Sequence, residues 1–480
     1  MSQASFLHLP PTERANYLKK CWQTGRLQEG IREWSYPTRH RLYRWRTALK
    51  GGSERHVRFR FDSVSAPNHL TSDVPDLFVP STFPPPCCQL EGLANLFAEV
   101  DAQFRGTYRL AGEYYQCVQG IDLATLADNE QHHAYHRLYW AVRYACAAAF
   151  GHPQAENGLC RDLNAWLSAD WSQDRRLAYP YTTAERIASL AEVAFWIRYG
   201  GLSEAARYIT SVKERVFLDA MHLSRNVEYW LAPHNHLLND ARALYVASTL
   251  LPECAEAPSW RQLAFEVWDD NFAKLVMEDG SFGEETSFYL FMNCRTALEY
   301  VLAARRHGHV LPEGLYERLR RLLELGNELL RKDGSLPRFG NTSPDHVIRD
   351  LWGFMTAAHV HGLLLSLPRN RMITPLTIYY CADFPSLPPT LTDSPNSSLN
   401  DGTSRTLARG NCTTHLKPLP DAVRVLEETP STETTLRLFP EGGWAFLRSP
   451  GLDAELVING EPGSKTRGHG DCGRGSFELW

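Results

Sequence analysis

Two stretches concentrate the residue types that do chemistry. The chain closes on TRGHGDCGRGSFELW, where glycines surround His469 and Asp471 in a loop that feeds a strand-like SFELW. A glycine-rich loop carrying a histidine and an aspartate is usually placed to act on something. Earlier, PHNHLLNDARALYVASTLLPE opens a helical pattern with His234, Asn235 and His236. Asp240 follows His236 by four residues, on the same helix face, where it can orient the ring or simply pair with it. An Asn-His pair at a helix start also reads as a cap plus a satisfied histidine. Tyr289, in the aromatic SFYLF, reads by itself as core, and Glu284 and Glu285 at that helix start complement the helix dipole. Metal ligation is not expected. His234-x-His236 and His359-x-His361 fall on predicted helices, where residues two apart point to different faces. His469 with Asp471 supplies at most two ligands. No metal and no cofactor are expected.

These residues need a scaffold, and the chain is long enough for one. It has 480 residues, 43% hydrophobic and 22% charged, as in an ordinary globular protein. The formal charge of -5 and the lack of a basic run argue against a nucleic-acid or membrane partner. The eleven cysteines are scattered without a CxxC, which suits reduced structural thiols. The N-terminus lacks the basic start and apolar run of a signal peptide, so a cytoplasmic location is expected, or a periplasmic one if a leader has been trimmed. No apolar run approaches the ~20 residues of a membrane span.

Residues 1–120 are mixed, with a short helix expected near Pro11 to Cys21. From His132 to Pro368, apolar residues recur at three and four in nine segments: 132–151, 161–171, 182–201, 203–223, 236–253, 259–277, 287–306, 315–332 and 343–368. Short Gly, Pro, Asp or Ser breaks between them predict antiparallel helical hairpins, stacked as a superhelix or closed ring, over 121–380. Residues 381–434 are rich in Pro, Ser, Thr and Asn and read as a linker-like connection. Strand patterns follow in 435–480: TLRLF, the turn PEGG, WAFLR, AELVIN and SFELW.

Three ordered stretches resemble the heparinase II/III-type polysaccharide lyases, which are related to alginate lyases. They are PHNHLLNDARALYVASTLLPE, DGSFGEETSFYLF, and FPEGGWAFLRS continuing through ELVINGEPGSKTRGHGDCGRGSFELW. The resemblance runs from about Asp128 to Trp480. It implies a mainly α fold, an (α/α) toroid of helical hairpins followed by the start of an antiparallel β-sandwich. It also implies cleavage of a uronic-acid-containing polysaccharide by β-elimination. The family's Asn-His pair falls on Asn235 and His236. Its tyrosine falls on Tyr289, with Glu284 leading the motif and Thr286 in the place of a serine, and Leu290 where a histidine commonly follows. The sandwich histidine falls on His469, whereas Asp471 and Gly473 replace a second histidine and an aspartate. The sandwich is therefore expected to be incomplete, in a C-terminally truncated chain or in one that another chain completes.

The implied chemistry removes the proton at C5 of a uronate and expels the oxygen at C4. A catalyst must neutralise the carboxylate and stabilise the enolate-like dianion. On this reading Asn235 donates to the carboxylate. Tyr289 is the acid and, on one face, also a base; His236 is the alternative base, and His469 closes the site. Tyrosine acting as a base needs nearby positive or hydrogen-bonding groups, and Arg242, His234 or His469 are the candidates, with Arg242, Glu284 and His234 also expected to bind substrate. The expected partner is an acidic polysaccharide; oligomeric state is open. A non-catalytic glycan-binding toroid is the alternative, as is a two-carboxylate hydrolase drawing on Asp279, Glu284, Glu285 or Asp345. A protein-binding helical scaffold is disfavoured, because the helices share no fixed repeat.

Overall fold

The computed structural model describes residues 65–78, 92–117, 126, 129–171, 174, 176–229, 234–284, 286–309, 311–331, 335–339, 353–366, 368–369, 374–381, 434–449 and 454–459, and the backbone of 476–479. The expected helix near Pro11, the linker-like segment and the loop with His469 lie outside the described residues. Helix α1 (Leu93–Phe104) leads into the hairpin β1 (Thr107–Leu110) and β2 (Glu113–Gln116). Then come α2 (Asn129–His136), α3 (Tyr139–Ala149), α4 (Ala155–Ser168), α5 (Pro180–Gly200), α6 (Ser203–Ala206), α7 (Ile209–Arg225), α8 (Asn235–Leu250) and α9 (Ala257–Leu275). The helical part ends with α10 (Ser287–Arg306), α11 (Glu313–Leu329), α12 (Gly353–Val360) and α13 (Pro375–Cys381). Four strands follow, β3 (Thr435–Phe439), β4 (Trp444–Ser449), β5 (Ala454–Asn459) and β6 (Ser476–Leu479).

Side-chain patterning separates the helices into two layers. In α7, Ile209, Val212, Val216, Ala220 and Leu223 are buried at spacings of three and four, and in α11 Leu315, Leu319, Leu322, Gly326 and Leu329 repeat the pattern. One apolar stripe means one packed face, so these helices are outer. By contrast every residue from Thr182 to Ile197 in α5, and from Leu237 to Leu250 in α8, is buried. Such helices must be covered on all sides. They are: α5 packs on α3, α7 and α8, and α8 packs on α5, α9 and α10. Tyr379 of α13 meets Phe195 of α5 edge-on at 5.0 Å. The protein is thus mainly α, an (α/α) toroid of helical hairpins followed by an antiparallel sheet. Among the described residues no helix is long and apolar enough to cross a membrane.

Local pattern misjudged three helices. The helix expected over 132–151 breaks at Leu138, which adopts a left-handed φ of 62° with no glycine to mark it. Its side chain is fully buried, so tertiary packing outweighs the conformational cost. The helix expected over 203–223 divides at Arg207–Tyr208 into α6 and α7. Of the segment 343–368, only Gly353–Val360 is described as helix; 343–352 lies outside the described residues, and the chain turns after Val360.

The four strands form an antiparallel meander in the order β3-β4-β5-β6. One face carries Trp444, Phe446 and Val457 into the core, while Leu436, Leu438 and Leu447 are exposed on the other. The inner face also carries charge: Arg437 and Arg448 both pair with Glu328 of α11. At one end the PEGG turn sits on the DGSF turn. The Asp279 carboxylate accepts the backbone N–H groups of Glu441 (2.6 Å) and Gly442, and Glu441 accepts that of Glu278 (2.7 Å). The DGSF turn depends on Gly280, whose φ is +93° and whose place for a Cβ lies 2.3 Å from the Arg321 carbonyl. Gly280→Ala is therefore expected to destabilise the protein by about 1–3 kcal/mol. Denaturant unfolding measures this, and an unchanged midpoint would contradict it.

Candidate active site

The buried helices α5 and α8 each reach solvent at one residue near their N-termini, Tyr181 and His236, and these two rings meet at 4.4 Å. Tyr181 and Asn235 line a narrow cleft together with Asn239, Tyr289, Asn293 and Thr296. The sequence thus brings Asn235, His236 and Tyr289 to the N-terminal ends of two neighbouring inner helices, α8 and α10.

Local structure explains the placement. His234, not Asn235, caps α8: its backbone is extended and its Nδ1 accepts from the His236 N–H at 3.4 Å. That extended backbone also defeats the spacing argument made for a helix, since the His234 and His236 rings touch edge-on at 4.5 Å. Glu284 does not serve the helix that follows it. Its Oε1 accepts the N–H of Asn235 at 2.8 Å, so it caps α8 from the turn before α10. Thr286 caps α10, its hydroxyl accepting the Tyr289 N–H at 2.9 Å. The Asn235 side-chain oxygen is buried and has no hydrogen-bond partner. An unsatisfied buried amide oxygen facing a polar cleft is a position for a ligand or water.

Electrostatics assign the remaining residues. Arg242 lines the cleft but is committed to the protein: it pairs with Glu185 (2.5 Å) and Glu299 (2.7 Å) and donates to Asn239 (2.5 Å). It is a buried tie between α5, α8 and α10 rather than a cation available to a uronate. The cation that acts on Tyr289 is Arg137, which lies 5.2 Å over the Tyr181 ring and pairs with Glu130 at 2.5 Å. Burial, helped by Glu284, outweighs it and pushes the Tyr289 hydroxyl up to about 12. Tyr289 is thus protonated at neutral pH and suited to donate. Burial lowers His236 to about 3, so the ring is neutral. Its Nδ1 lies 3.0 Å from Glu228, not from Asp240. Asp240 instead accepts the backbone N–H of Glu228 at 2.9 Å. Glu228, Arg137 and Tyr181 are the residues that sequence reasoning missed; none sits inside the motifs, and Glu228 lies on the chain before α8. His469 lies outside the described residues.

Glu284 gives the site a pH-dependent stability. Burial pushes its carboxyl up to about 7 against an ordinary 4.5. Between those values the folded chain holds a proton that the unfolded chain has released, so stability falls as pH rises through that window. Glu284→Gln keeps an acceptor for Asn235 and removes the titration. The loss of stability between about pH 4 and pH 8 is expected to shrink by about 3 kcal/mol in the variant, read from denaturant unfolding at both.

The other candidates are accounted for by structure. Asp279 holds the sheet turn, and with Glu284 capping α8 the two described carboxylates of the hydrolase alternative have structural duties. His361 Nε2 donates to the Tyr380 carbonyl and His359 Nδ1 to that of Leu364. Among the described residues no three His, Cys, Asp or Glu side chains converge as a metal site.

The cleft with Asn235 and Tyr289 thus lies at the N-terminal ends of inner helices of a helical toroid, and comparison with known proteins finds similar chains. A family model described as Heparinase II/III N-terminus matches residues 203–357, a segment that contains Asn235, His236 and Tyr289. A crystal structure of heparinase III is similar at 14% identity and a TM-score of 0.54, covering 98% of this chain and 64% of that one. A mutant of the heparan sulfate lyase HepC from Pedobacter heparinus is similar at 15% identity and a TM-score of 0.46, covering 97% of this chain and 62% of that one. The chain thus spans less than two thirds of the length of these structures. No curated protein matches the sequence.

Proposed function

We propose that the protein is a polysaccharide lyase that cleaves a uronic-acid-containing glycan by β-elimination. The observation that carries this reading is that Asn235 and Tyr289, from two separate motifs, line one cleft with Tyr181, against whose ring His236 packs. The Asn235 amide donates to the uronate carboxylate, lowering the cost of the charge that builds up when C5 loses its proton. His236, neutral at rest, offers Nε2 as the base. Tyr289, protonated at rest, gives its proton to the oxygen leaving C4. Family likeness supports the acidic polysaccharide as substrate class, and His469 is proposed to approach the cleft from the sheet side.

The test is to incubate the chain with alginate, heparan sulfate and chondroitin sulfate and follow ultraviolet absorbance of the conjugated C4–C5 double bond. Growth with one polymer, lost in Asn235→Ala, is the expected result. Reducing ends formed without that absorbance would replace the lyase by a hydrolase.

A further inference from the structure

A ring that burial keeps neutral down to about pH 3 is a weak base unless something stabilises its imidazolium when the proton arrives. The structure supplies that group. Glu228 is fully buried, and its Oε2 stands 3.0 Å from His236 Nδ1. Its position is fixed at the backbone, since its own N–H donates to Asp240 Oδ2 at 2.9 Å, and Asp240 is itself fully buried on α8, one turn beyond His236. The His236 side chain is 17% exposed, and its Nδ1 is held against Glu228. We propose that Glu228, anchored by Asp240, is the positioning residue for His236: as a carboxylate it accepts Nδ1–H, leaves the lone pair on Nε2 free, and pairs with the imidazolium formed when Nε2 takes the C5 proton. This rests on the lyase reading given above.

The balance is simple. The C5–H bond breaks, its electrons enter the C4–C5 double bond, the C4–O bond breaks with its pair, and Tyr289 protonates that oxygen. Glu228 exchanges no proton with the substrate. When Glu228 is itself protonated, it donates to Nδ1, the ring proton moves to Nε2, and the base is lost. The groups around the ring are Arg137, which disfavours the imidazolium, Glu130 and Glu185, which favour it, and the rings of His234, Tyr179 and Tyr181. Around Glu228 burial dominates and raises its carboxyl, Tyr179 opposes by hydrogen bonding, and Asp240 is raised by burial and by Glu228. Nε2 therefore becomes a base on the alkaline side.

Two measurements on the full chain test this. Ring-nitrogen NMR of histidine-labelled protein, with the His236 signal assigned from its loss in His236→Gln, reports the tautomer. The wild type is expected to move from Nε2–H at about pH 6 toward Nδ1–H at about pH 9, and Glu228→Gln to show one ratio at both. In the uronan assay Glu228→Gln is expected to lose about 10²–10⁴-fold in kcat, with KM within about twofold and the alkaline rise in kcat gone. Asp240→Asn, which keeps an acceptor for the Glu228 N–H, checks that a folded variant can be read. A Glu228→Gln ring that follows pH as the wild type does would overturn the positioning role. Should no uronan be cleaved, the lyase reading fails while the tautomer measurement still decides the role of Glu228.

Discussion

Tyr289→Phe should lower kcat on a cleaved uronan by about 10²–10⁴-fold while leaving KM nearly unchanged, because it deletes one proton donor and little binding surface. The hydroxyl is held protonated up to about pH 12 by burial, so it enters the reaction as an acid and its removal cannot be compensated by a change of buffer. The N-terminal turn of α10 is retained, since Thr286 caps it through the backbone of residue 289 rather than through the side chain. An unchanged melting midpoint together with unchanged kcat would remove Tyr289 from the mechanism.

The second large effect is on stability. Arg242→Met should cost about 3–5 kcal/mol, because it strands Glu185 and Glu299 in the interior after removing the guanidinium that pairs with both. Glu299 retains Arg295 at 3.1 Å and a hydrogen bond from Tyr380, and Glu185 retains Tyr139 at 2.5 Å, so part of the network survives. Denaturant unfolding measures the loss. If Arg242 instead met the substrate carboxylate, the variant would keep its stability and raise KM, and the two outcomes are separable in one preparation.

Arg242 also marks where sequence reading ran out. Its position in the motif segment and its charge suggested a substrate contact, yet its partners lie 57 residues away on either side, on helices α5 and α10. Nothing local signals such a tie. Glu228 was hidden for a related reason: it precedes α8 and meets His236 at no helical spacing, whereas Asp240, at helical spacing, attracted the assignment. What periodicity could report, it reported well. The strands TLRLF, WAFLR and AELVIN match β3, β4 and β5 closely, because alternation records which side of a sheet is covered. The helices α5 and α8 were found from apolar residues recurring at three and four and from flanking breaks, although burial on all sides leaves them without a polar face. The break at Leu138 was invisible, since a buried leucine in a left-handed conformation leaves no compositional trace.

The docking of the two turns has a thermodynamic consequence. Three residues close together in the sequence join the two ends: Asp279, whose carboxylate grips the sheet turn, Glu284, which holds the start of α8, and Tyr289 at the cleft. Order in that stretch is shared by the two ends. A glycan that binds more tightly when the stretch is set must, by reciprocity, tighten the sheet on the helices by the same free energy. Loosening the sheet, for instance by Asp279→Ala, should then weaken binding at a cleft it does not touch.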